Sequence, residues 1–315
     1  MIKELSKIKN EWRAPDLHGE IPHGDMPGDK VEIKEGHIKK ANLIFPVLLK
    51  ELDKAVKGNP YNRAVISVCG GSGVGKSETA SLLAYYLNAC GIGAYTMSGD
   101  NYPHRIPKYN DAERLRVFRA NALKGMLVSG TYTKERFEQL QQLQKEERDA
   151  DPSSIQEYGW MGTYIQAGRN GLKQYLGTDK ETDFNEVERI ISQFKNGAGR
   201  IYLKRMGRED TELWYEEVDF SETQVLIIEW THGNSDRFEG VDIPILLNST
   251  PSETLEHRRS RARDGAVDSA FTAMVLELEQ ELLVSQAHKA KIIVTKSGEL
   301  IDYKQYTELM RGEER

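Results

Sequence analysis

Eight residues constrain the fold of this chain more than any other stretch. Gly70-Gly71-Ser72-Gly73-Val74-Gly75-Lys76-Ser77 is a full match to G-x-x-x-x-G-K-[ST]. Glycines at these spacings let the backbone wrap an anion with its N–H groups turned inward, and a helix N-terminus adds the positive end of its dipole. The flanking sequence has the form such a loop needs. Before it lies Ala64–Cys69 (AVISVC), a short β-branched run that reads as a buried strand, and after it Lys76–Ala89 has a helical pattern. In this setting Lys76 is expected to reach the β- and γ-phosphates of a nucleotide and the Ser77 hydroxyl to ligate Mg²⁺. The expected nucleotide set is Gly70, Gly71, Ser72, Gly73, Val74, Gly75, Lys76 and Ser77, with Thr79.

A strand, a glycine loop and a helix make one βα unit, and the rest of the chain continues the alternation. Ala94–Ser98, Val225–Trp230 (VLIIEW), Ile243–Asn248 and Lys291–Thr295 are further strand candidates, with helical patterns over Ser252–Arg263 and Ser269–His288. Such alternation predicts an α/β fold: a mostly parallel sheet covered by helices on both faces. Residues 1–60 read as an irregular arm (1–36) and a leading helix (37–57), and 61–315 as the core. The middle, about 111–220, reads as a substrate or cap region inserted in that core. It is helical over Asp111–Arg148, loop-like and aromatic over 151–171, helical again over Phe184–Lys195, with a hairpin from Ile201–Arg205 and Trp214–Val218.

Composition narrows the function classes. The net charge of −6 argues against nucleic acid or an anionic membrane as partner. No apolar run approaches the length of a membrane span, and the charged start, MIKELSKIKNEW, has no apolar signal core. Two cysteines, Cys69 and Cys90, make no disulfide framework, so the expected setting is cytoplasmic. Cys69 reads as a small packed hydrophobe. His18, His23 and His37 lack tight metal spacing. A guanine-reading N-K-x-D is absent: Thr295-Lys296-Ser297-Gly298 lacks both the Asn and the Asp.

Four further segments, in order, carry a resemblance. Ser98-Gly99-Asp100-Asn101-Tyr102 closes the second strand. Thr231-His232-Gly233 follows Glu229 and Trp230. Arg258-Arg259-Ser260-Arg261-Ala262-Arg263-Asp264 is arginine-rich, and Ala290–Val294 is a late strand. With the glycine loop, these resemble the phosphoribulokinase/uridine kinase family of P-loop kinases from about Arg63 to Ser297, although Trp230 stands where that family usually has glycine. The resemblance implies a P-loop NTPase fold, ATP and Mg²⁺, and transfer of a phosphoryl group to a hydroxyl of a small molecule.

It also implies roles for single residues. Asp100, at the carboxyl end of a strand, would accept the proton of the acceptor hydroxyl; a turn-capping aspartate is the competing reading. Glu229 ends an apolar strand, where a carboxylate is costly without a cation, which suits a Mg²⁺ ligand; a strand end reaching solvent is the alternative. Arg259 or Arg263 would stabilise the transferring phosphoryl group from a closing lid, against the ordinary fate of a charge run as a solvated helix face. For the acceptor, Tyr102, His104, Arg105, Lys204, Arg205, Arg208 and His232 are the candidates. Their basic character points to a sugar phosphate or organic acid. A neutral nucleoside stacked on Tyr102, Tyr158, Trp160 or Tyr164 is the alternative. From another class, a nucleotide-dependent switch or assembly protein would use the same loop with no acceptor. A homodimer is an open expectation.

Overall fold

The computed structural model describes residues 8, 11–17, 21–250, 253–256 and 269–313. Along the chain run helix α1 (Glu35–Lys57), strand β1 (Ala64–Gly70), α2 (Lys76–Ala89), β2 (Ala94–Ser98) and a 3₁₀ turn (Gly99–Asn101). Then come α3 (Pro107–Val128), α4 (Lys134–Lys145), α5 (Ser154–Glu157), α6 (Met161–Lys173), α7 (Phe184–Lys195) and the hairpin strands β3 (Arg200–Met206) and β4 (Leu213–Asp219). The chain closes with β5 (Val225–Glu229), β6 (Ile243–Leu247), α8 (Ala270–Gln286), β7 (Ile292–Val294), β8 (Leu300–Ile301) and α9 (Tyr303–Glu313).

Two compact units result: Met1–Tyr102 with Asp183–Thr254 and Leu283–Arg315, and Pro103–Thr182 with Leu255–Leu282. The division differs from the expected insert at 111–220, because α7 and the β3–β4 hairpin belong with the sheet.

In the first unit, among the described residues, a six-stranded sheet runs β2-β5-β1-β6-β7-β8, parallel except for the short edge strand β8. Alternate residues of each strand serve opposite faces. Ile66, Val68, Ile227 and Ile245 pack with α1 (Ile44, Leu48) and α2 (Leu83, Leu87). Val65, Leu226, Ile228 and Met97 pack on the other face with Phe184, Ile190 and Phe194 of α7 and Ile201 and Leu203 of β3. The strands are therefore apolar nearly throughout, as a two-sided sheet demands. Among the described residues no helix is long and apolar enough to cross a membrane.

The second unit is helical. Its core joins Phe118, Ala122 and Met126 of α3, Leu140 of α4, Met161, Tyr164 and Leu172 of α6 and Leu278 of α8. Here the structure corrects the loop expected over 151–171, most of which is α5 and α6. Two glycines of α6 that read as loop signals are contact points: a Cβ on Gly168 would meet the Phe118 ring at 2.5 Å, and one on Gly171 would meet Asn121 at 2.3 Å. The glycines let α6 lie close against α3, and the resulting burial outweighs their poor helix propensity.

Candidate active site

Parallel pairing brings three strand ends together. Val68 of β1 pairs with Glu229 of β5, and Glu229 with Ser98 of β2, so the glycine loop, Glu229 and the Asp100 turn open from the same carboxyl edge. Such edges are where open α/β sheets bind ligands. The loop leaves β1 with Gly70, Gly73 and Gly75 at φ of +152°, +77° and +91°, conformations that side chains resist. Gly70 also lacks room: a Cβ there would lie 2.5 Å from the Leu247 carbonyl oxygen of β6. Lys76 opens α2, and its Nζ donates to the Gly71 carbonyl at 3.1 Å, so the ammonium arches over the loop. Thr79 is fully buried, and its hydroxyl has no hydrogen-bond partner.

Glu229 is 4% exposed. Ser98 Oγ donates to its Oε1 at 2.8 Å and Ser77 Oγ to its Oε2 at 3.1 Å. Burial, and then the negative charge of Asp100, push its carboxyl up to about 8, with Lys76 opposing. A carboxylate this disfavoured calls for a cation. The donors present fit Mg²⁺: one carboxylate and one serine hydroxyl, with no cluster of three or more His, Cys, Asp or Glu among the described residues. Mg²⁺ commonly takes one or two carboxylates and completes its shell with water and phosphate oxygens. Asp100 sits exposed in the 3₁₀ turn.

Trp230 is accommodated by Gly99. A Cβ on Gly99 would fall 2.0 Å from the indole Cγ, so the bulky residue in the Glu229 loop requires a glycine beside Asp100. The indole packs with Phe184 and Phe238. His232 lies mostly buried, its ring edge-on to Trp230 at 5.4 Å.

The acceptor candidates fare unequally. Tyr102 is a core residue, 0% exposed with its hydroxyl toward Met97 Sδ, so it offers no surface to a ligand. Tyr164 is likewise interior, donating to Asp149 at 3.1 Å. Both were expected at the surface because aromatic residues near a strand end or in a presumed loop read as available. Arg205 is buried and committed, with Nη1 to Asp25 at 2.8 Å, Nε to Glu216 at 2.9 Å and Nη2 to the Tyr95 hydroxyl at 2.9 Å. Lys204 is buried, which lowers its pKa, and Arg208 is exposed at the hairpin end. In the second unit His104 Nε2 lies 2.9 Å from the Asp179 carbonyl oxygen and Arg105 donates to the Tyr175 hydroxyl at 3.2 Å. Arg259, Arg263 and His18 lie outside the described residues. Cys69 is buried, and burial pushes its thiol up to about 12, as a packed hydrophobe requires.

Sequence reasoning missed what the arm does. His37, in the first turn of α1, stands against the loop: a Cβ on Gly75 would touch its ring at 2.9 Å. Gly24 lies beside Glu229, and Asp25 binds the Ser98–Asn101 segment. The lack of periodicity over 1–36 hid this, because loop residues that bind through single side chains leave no repeat.

No family model matches the chain. Over 255 residues, 81% of its length, it is 40% identical to the bifunctional alpha-galactosidase/sucrose kinase AgaSK of Mediterraneibacter gnavus. The match takes in 22% of that protein, so the chain spans about a fifth of its relative's length. Among solved structures, D-glycerate 3-kinase from Cryptococcus neoformans is 13% identical with a TM-score of 0.48, covering 86% of this chain and 99% of that one. A chain from Silicibacter sp. described as a fructose transport system kinase is 16% identical with a TM-score of 0.46, covering 80% of this chain and 94% of that one.

Proposed function

We propose that this chain is an ATP-dependent kinase that phosphorylates a hydroxyl of a sugar. The observation that carries the reading is the meeting of Lys76, Ser77, Glu229 and the Asp100 turn at the carboxyl ends of β1, β5 and β2. Of the two activities in the name of the 40%-identical relative, sucrose phosphorylation is the one a phosphate loop serves.

In this reading the loop from Gly70 to Ser77 holds the β- and γ-phosphates, and the Lys76 ammonium offsets their charge. Ser77 and Glu229 hold Mg²⁺, which when bound neutralises charge on the phosphate oxygens. Asp100 takes the proton from the acceptor hydroxyl as its oxygen forms the new P–O bond. The bond to the β,γ-bridging oxygen breaks, and ADP leaves with that electron pair. Glu229 is disfavoured as a bare anion, which suits it to holding a cation.

Arg205 favours a neutral acceptor over a sugar phosphate. Two carboxylates already balance its charge, so an anionic group would have to compete with both. The test is ADP release with sucrose, fructose and glucose, each read by mass gain of the sugar. Sucrose is expected to support turnover with little response to salt. Lys76→Ala is expected to abolish turnover and the stabilisation by Mg-ATP while the protein stays folded. ADP release that no sugar accelerates would instead favour the switch reading.

A further inference from the structure

Asp25 belongs to a segment with no regular secondary structure, yet its side chain is only 7% exposed and all its contacts converge on one place. Oδ1 accepts from the Ser98 backbone N–H at 2.7 Å and from Asn101 Nδ2 at 3.0 Å. Oδ2 accepts from the Tyr95 hydroxyl at 3.0 Å and from Arg205 Nη1 at 2.8 Å. Asn101 in turn accepts from the Met206 N–H at 3.0 Å through Oδ1. Asp100 therefore stands between two residues, Ser98 and Asn101, that one carboxylate holds. The same Ser98 donates its hydroxyl to Glu229.

A buried ion pair is a costly way to fasten a loop. Apolar residues of similar volume often stabilise as well or better, so its presence here is weak evidence for a purely structural role. What a carboxylate provides and an apolar contact does not is direction. The bonds from Tyr95 and Arg205 orient the carboxylate, and the two from Ser98 and Asn101 then fix the turn in orientation as well as in depth.

We propose that Asp25 is a positioning residue for phosphoryl transfer: its carboxylate, anchored by Arg205, fixes the Ser98–Asn101 turn so that Asp100 meets the acceptor hydroxyl. The inference rests on the kinase reading above and adds the arm to the catalytic unit. Asp25 touches neither substrate nor nucleotide in this assignment; it acts through Asp100.

The test compares the wild-type chain, Asp25→Asn, the pair Asp25→Asn with Arg205→Gln, and Asn101→Ala. Each is measured for melting temperature with and without Mg-ATP, and for kcat and KM with whichever free sugar the wild type uses. Asp25→Asn takes from Arg205 its buried counter-ion and leaves it the more exposed Glu216, and is expected to lose both stability and rate. The pair removes both charges and is expected to recover most of the melting temperature while kcat stays down by roughly 10²-fold, the penalty of a misplaced group. The KM for ATP and the Mg-ATP thermal shift are expected to remain near wild type. Should neither charge variant fold, Asn101→Ala, which buries no charge, is expected to show the same loss of kcat alone. A kcat that recovers together with the melting temperature in the pair would overturn the proposal and leave Asp25 a structural clamp. An unchanged kcat in Asn101→Ala would do the same. A wild type that uses no sugar overturns the kinase reading and the inference with it, whereas a working wild type with an equally active pair variant overturns the inference alone.

Discussion

Glu229→Gln separates what the buried carboxylate costs from what it does. Glutamine has the same size, can accept from Ser98 Oγ at one atom and can donate to Ser77 Oγ from the other, so both contacts at 2.8 and 3.1 Å are preserved. Only the titration disappears. In metal-free protein the Glu229 carboxyl is raised from 4.5 to about 8. The folded state then keeps a proton that the unfolded state releases, so wild-type stability falls as pH rises between those two values. At 1.36 kcal/mol per tenfold in proton affinity, the full penalty is on the order of 5 kcal/mol, an upper bound for a site that can relax. The variant escapes this penalty. In EDTA its melting temperature, relative to wild type, is expected to climb by several degrees between about pH 5 and about pH 8.5. With Mg-ATP the order reverses: wild type gains more, and turnover of the variant falls with a weakened Mg²⁺ dependence. Parallel melting curves across the pH range in EDTA would refute the buried-acid argument, and a wild-type Mg²⁺ dependence would take Glu229 out of the metal site.

Two further substitutions probe the same edge of the sheet. Asp100→Asn is expected to lower kcat by about 10²–10⁴-fold, the span of a positioned base, with the Mg-ATP thermal shift unchanged; near-normal turnover would make Asp100 a turn residue. Gly99→Ala places a methyl group 2.0 Å from Trp230 Cγ, so the turn or the indole must move. A loss of about 1–3 kcal/mol is expected by denaturant unfolding, with kcat falling further than stability explains. Trp230→Ala in the same chain is expected to restore turnover in part, which a double-mutant cycle measures.

The nucleotide half of the site was legible in the sequence because its physics is local. A loop that cradles phosphate needs glycine at fixed offsets, and the strand and helix around it carry their own patterns; β1, α2 and β2 fall within a residue of expectation. The α3–α6 contact was hidden because Gly168 and Gly171 signal a turn in one context and a close helix crossing in another, and only the partner helix decides. Arg205 looked like a free cation because its counter-ions, Asp25 and Glu216, lie elsewhere in the sequence. Charge balance between distant segments has no local signature. Tyr102 was misread for a similar reason: its burial depends on Phe184, Phe220 and Trp230, which arrive from later in the chain.

The strand order has a consequence for how the molecule is made. Among the described residues β1 pairs only with β5 and β6, and β2 only with β5. On the ribosome, then, the strand that carries the phosphate loop has no hydrogen-bonded neighbour until Glu229 has emerged. The second unit's 103–182 segment and the hairpin are synthesised first. During that interval an apolar strand stands with both edges open, a state prone to mispairing and aggregation. Until then nucleotide has no formed site to stabilise, because the loop has no sheet to hang from. A nascent chain stalled before β5 would carry the whole glycine motif without the strand that sets it beside Glu229.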